Sequence, residues 1–80
     1  MNDSAVYIAY CFMHQKLRVY EHSSIARQRD EIETSIADYV GQMDQGLYHT
    51  LAGYTPEFLL THSRFESDLR NAVAMLEQLL

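Results

Sequence analysis

An 80-residue chain with one cysteine, Cys11, makes a single domain near the lower size limit for a self-sufficient core, and no internal disulfide can reinforce it. With 48% hydrophobic and 21% charged residues it is not a disordered chain, and a formal net charge of -5 argues against a nucleic-acid protein, which would normally present a basic face to displace counterions. Efficient helix packing or a partner must supply the remaining stability.

One Pro and three Gly punctuate the sequence, and no run of four to eight residues alternates apolar with polar, so the expected fold class is all-α. In the first segment Ala5, Val6, Ala9, Phe12, Met13, Leu17 and Tyr20 make one helical face, while Tyr7, Ile8, Tyr10 and Cys11 cover much of the rest of its first turns. A helix so apolar calls for burial on more than one side, which two further short helices are not expected to supply. Residues 4–15 carry no formal charge, yet they fall short of the roughly 20 needed to span a bilayer and lack a basic leader and a small-residue cleavage site. A cytoplasmic chain with no membrane span is expected.

Ser23-Ser24 is the expected first joint, although no Gly or Pro enforces it; a single helix over residues 5–40 is the competing layout. Ile25, Ile32, Ile36, Val40, Met43, Leu47 and Leu51 then form one broad stripe, which predicts a straight helix over residues 24–52. Gly41 and Gly46 each weaken that helix by roughly 1 kcal/mol, and a kink at "GQMDQG" is the alternative. Gly53 suits the left-handed position after a helix, Thr55 an N-cap, Pro56 the first helical position, and Glu57 the positive end of the dipole. A last helix over residues 56–80 follows, antiparallel to the second and packed first upon it. Its seam comprises Phe58, His62, Phe65, Leu69, Ala72, Leu76 and Leu79, widened by Leu59, Val73 and Leu80 into a bundle face. The expected architecture is therefore an antiparallel hairpin with an additional N-terminal helix, a two- or three-helix bundle. His62, a polar group in the seam, is expected to be partly buried and paired with Glu66 one turn on.

Charge is unevenly distributed. Lys16, Arg18, Arg27 and Arg29 surround the first joint, whereas residues 30–63 contain no Lys or Arg and carry Asp30, Glu31, Glu33, Asp38, Asp44 and Glu57. Cys11 and His14 share a helical face at a spacing that metal ligands use, but two ligands do not complete a structural site. No nucleophile-base pair, phosphate loop or inward pair of carboxylates can be assembled, so neither enzyme activity, cofactor nor metal is expected.

Six Tyr and four Met in so short a chain match the enrichment of aromatics and Met at contact surfaces. The expected role is a non-catalytic adaptor that binds another protein, or a second copy of itself, through Tyr7, Ile8, Tyr10, Phe12, Met13, Tyr20, Phe58 and Phe65. The stretch "LAGYTPEFLLTHSRFESDLRNAVAMLEQL", residues 51–79, resembles the small cytoplasmic co-chaperones of type III secretion needle subunits. The resemblance rests on Gly53, Pro56, Glu57 and Phe58 in the link and on Leu69, Ala72, Val73, Leu76 and Leu79 in the helix after it. It implies a hairpin that binds a helical-repeat chaperone and, with it, shields an export substrate, without catalysis or cofactor. The alternative is a small acidic inhibitor of phage type that covers a basic site on its target with Asp30, Glu31, Glu33, Asp38 and Asp44.

Overall fold

A computed structural model describes residues 3–80, and every regular element among them is helical. The elements are α1 (Asp3–His22), α2 (Ala26–Gln42), α3 (Gln45–Ala52), a 3₁₀ turn (His62–Arg64) and α4 (Phe65–Leu79). The chain is all-α, as its sequence pattern requires. No helix among the described residues is long and apolar enough to cross a membrane.

The first helix lies at the centre of the arrangement. Its residues Val6, Ala9, Met13, Leu17 and Tyr20 recur every three or four positions and are all buried. On one flank the Phe12 ring stacks on Tyr39 of α2 with centroids 4.3 Å apart; on the other the Tyr20 ring meets Phe65 of α4 at 5.0 Å. Near the opposite end of α1, Val6 and Tyr7 adjoin Leu79 and Leu80, so α4 runs antiparallel to α1. The expected pairing of the last helix with the second is thus corrected: α4 packs principally on α1, with a smaller contact from α3. The reason lies in the two seams. Phe65, Leu69, Ala72, Val73 and Leu76 offer a continuous apolar row along the 15-residue α4, and only α1 presents a comparable one.

The joint at Ser23 forms as expected, and Arg29 holds it. Its guanidinium donates to the Tyr20 carbonyl at 2.8 Å, which otherwise accepts only a long 3.4 Å bond from the Ser23 N–H among the turn and cap bonds there, and to the Ser23 carbonyl at 3.1 Å. The same group lies 3.8 Å from the Tyr20 ring centroid and donates to Glu66 Oε1 at 3.0 Å. A planar fork of donors makes all these contacts at once, which an ammonium cannot do. Arg29→Lys is therefore expected to lower the thermal midpoint clearly, whereas Arg27→Lys, at a side chain paired only with Glu31 on the surface, leaves it nearly unchanged; melting curves followed by circular dichroism compare the two.

The straight helix expected over residues 24–52 is two helices. After Gln42 the backbone turns extended at Met43, and Asp44 starts α3 as its N-cap, accepting the Leu47 N–H at 2.8 Å. The Gln45 amide donates back to the carbonyls of Val40 and Met43 at 3.2 and 2.9 Å, satisfying acceptors that the break exposes. The kink at "GQMDQG" is the layout adopted, and it lets Met43, Leu47 and Leu51 all reach the core.

The last helix begins at Phe65 rather than at Pro56. Gly53, with φ 57°, ends α3, and residues 54–61 form a looped segment in which Glu57 and Leu59 also have positive φ. Phe58 and Leu59 insert from this loop into the core, at 3% and 1% exposure. Asp68, from the first turns of α4, accepts the Leu59 N–H at 3.0 Å, and the Tyr48 hydroxyl donates to the Phe58 carbonyl at 2.8 Å. Tertiary hydrogen bonds thus hold a backbone that its local helix-start signal does not favour.

Candidate functional site

Two surfaces emerge from this packing. The first is the outer side of α1. Because α2 and α4 cover its two flanks, the 3.6-residue period leaves Tyr7, Ile8 and Cys11 facing outward, with Tyr7 60% and Ile8 58% exposed. Leu79 and Leu80 continue the patch beside Tyr7. Tyr10 and Phe12 are half-buried at its margins, Tyr10 stacked on His14 at 5.2 Å and Phe12 on Tyr39. The other four residues expected to face a partner do not. Met13, Tyr20, Phe58 and Phe65 lie in the chain's own core, because α1 has helices on two sides and the loop before α4 folds inward.

The acidic flank is divided among different tasks. Asp30, Glu31 and Asp38 are exposed. Glu33 is held by the Tyr20 phenol, which donates to Oε2 at 3.1 Å, and Asp44 is the cap of α3. Two of the five acids are therefore fold-determining, and a continuous acidic docking face is reduced to the three others.

The second surface is a polar network at the joint end of the molecule. Glu66 bridges Arg29 and Arg70, at 3.0 and 2.7 Å, and Arg70 also reaches Glu21 at 2.6 Å, which ties α4 to both α1 and α2. The Arg29 guanidinium, with Arg70 adding to it, holds the Glu66 carboxyl below its usual range. Burial, followed by the Glu33 carboxylate, pushes the Tyr20 phenol above its ordinary value.

His62 belongs to this network and not to the seam. It sits in the 3₁₀ turn with its side chain 80% exposed, and its Nδ1 contacts the Glu33 carboxylate oxygens at 2.9 and 3.0 Å. The expected partner, Glu66, is instead taken by the two arginines. The hydrogen bond to Glu33 raises the His62 pKa, its charge and that of Asp30 act in the same sense, and desolvation and Arg29 oppose them. A raised folded-state pKa means that folding favours proton uptake, so the stabilisation is fully present below the unfolded pKa and fades as pH rises through the folded one. The difference in urea midpoint between the parent and His62→Gln is accordingly expected to be larger at about pH 5.5 than at about pH 8.

Asp30 stands close to this pair. One ligand atom each from Asp30, Glu33 and His62 lie within 4.8 Å of one another, the only such grouping of three among the described residues. Cys11 and His14, which the sequence singles out by spacing, acquire no third ligand there. Asp30 and Glu33 stand three apart on α2, which is visible in the sequence, but His62 comes from 29 residues beyond Glu33 and no local pattern joins it to them.

A small all-α domain with an outward apolar helix face and an ionic cluster at one end is the class that these observations define. Comparison with known proteins adds no relative: no family model, curated protein or solved structure matches the chain.

Proposed function

We propose that the chain is a non-catalytic protein-binding domain whose contact surface is the outer face of α1 around Tyr7 and Ile8. The observation that carries this reading is the exposure of these two large side chains at consecutive positions of a helix whose other large apolar residues, Val19 apart, are wholly or partly covered, with Leu79 and Leu80 beside Tyr7. Aromatic and aliphatic anchors of this kind supply most of the energy in protein interfaces. The secretion-chaperone form of the proposal, with a helical-repeat co-chaperone and an export substrate as partners, rests on the resemblance of residues 51–79. The helix that the resemblance begins at Pro56 begins here at Phe65, so the α1 surface, which lies outside that stretch, supports the broader reading of a protein adaptor.

A photo-crosslinking amino acid placed in turn at Tyr7, Ile8, Glu31 and Asp38 tests it in cells that express the chain. Adducts to one protein from positions 7 and 8, and none from 31 and 38, are expected. Adducts confined to positions 31 and 38 would favour the acidic-inhibitor reading, and their absence from all four positions would remove the adaptor.

A further inference from the structure

Beyond the partner surface, we infer that Asp30, Glu33 and His62 form a binding site for one divalent first-row transition-metal ion. Each side chain gives one ligand atom, and the three atoms already lie within 4.8 Å of one another. Two ligands about 2.1 Å from an ion stand about 3.0 Å apart when at right angles. The imidazole nitrogen of His62 and the Glu33 oxygens are separated by 2.9 and 3.0 Å, so this half of the site needs little adjustment. Asp30 is one turn away from Glu33 on the same side of α2.

The surroundings also suit an ion. Glu33 is half-buried and its carboxylate is oriented by the buried Tyr20 phenol, which donates to Oε2. The Tyr20 ring is itself fixed between Phe65 and the Arg29 guanidinium. A donor that orients a ligating carboxylate from behind is the usual outer support of a metal centre. Two carboxylates and one neutral imidazole balance the charge of a divalent cation, while Arg29, the nearby positive group, is directed to Glu66 and the end of α1. One nitrogen and two oxygen donors without a thiolate suit zinc, cobalt or manganese, and the imidazole disfavours magnesium and calcium. Exposure of Asp30 and His62 leaves the remaining coordination positions to water. The ion would join α2 to the turn that leads into α4, so its binding should be visible as a gain in folding stability.

The test uses the full chain with Cys11→Ser, which removes the one thiol that could capture metal independently. Isothermal titration with ZnCl2 and then CoCl2 is expected to show one ion per chain, and each salt to raise the melting temperature. Asp30→Asn and His62→Gln, both surface changes whose folding is verified by circular dichroism without metal, should each weaken zinc binding about tenfold or more. MgCl2 should leave the melting temperature unchanged. Absence of zinc binding in the parent would overturn the assignment, as would equal zinc affinity in parent and both variants, which would place the metal at the remaining histidines. An equal rise with MgCl2 would refute the transition-metal assignment.

Discussion

Replacing Phe65 with alanine is expected to cost about 3–5 kcal/mol of folding stability, the usual loss for an aromatic side chain removed from a packed interior. Phe65 is 1% exposed and lies at the first position of α4, where its ring meets Tyr20 near the end of α1. It therefore anchors the pairing on which the rest of the bundle depends. A domain of this size holds roughly 4–12 kcal/mol in all, taking about 0.05–0.15 kcal/mol per residue. The single substitution thus removes a large fraction of the total, and urea unfolding should show a much lower midpoint or no folded baseline. Phe65→Leu, which keeps most of the volume, should retain a clear transition. A midpoint that barely moves in the alanine variant would mean that α4 does not pack on α1 in this way.

Asp68→Ala comes next in expected size, at about 1–3 kcal/mol. The carboxylate is 5% exposed and accepts the N–H of Leu59, a residue with φ 68° whose side chain is itself buried. Alanine would leave that N–H without a partner in a place that water does not readily reach. The effect should exceed the loss of an ordinary surface carboxylate, and hydrogen exchange at the Leu59 amide should accelerate selectively. Asp68→Asn keeps an oxygen that can accept the bond, so a smaller loss is expected; an equal loss in both variants would assign the role to charge and not to the hydrogen bond.

Much of the fold was legible in periodicity. The apolar rows of α1 and α4 recur every three or four residues, and the joint after Tyr20 follows from the polar pair Ser23-Ser24, although its stabiliser, Arg29, acts through contacts that no local pattern records. Two elements depart from the simplest reading of the pattern, for different reasons. The apolar stripe from Ile25 to Leu51 continues across Asp44 and suits one straight helix, whereas the kink that "GQMDQG" leaves open is realised by the Asp44 carboxylate capping the Leu47 N–H. Thr55-Pro56-Glu57 has the local chemistry of a helix start, yet the burial of Phe58 and Leu59 and the reach of Asp68 back to Leu59 impose a loop there. The candidate surface was half legible. Tyr7 and Ile8 stand out because α1 has more apolar residues than its two flanks can cover, whereas Met13, Tyr20, Phe58 and Phe65 look alike in sequence and are consumed by the core. His62 falls in the seam only for a helix that starts before Phe58; α4 starts at Phe65, and the 3₁₀ turn ahead of it turns His62 outward.

The central position of α1 has a bearing on synthesis. Its main packing partner, α4, is made after α2 and α3, so the rows of Val6, Ala9, Met13 and Leu17 are synthesised well before Leu69, Ala72 and Leu76 exist to meet them. Throughout that interval the nascent segment must be shielded or tolerate exposure, and the native core closes only once α4 has been made.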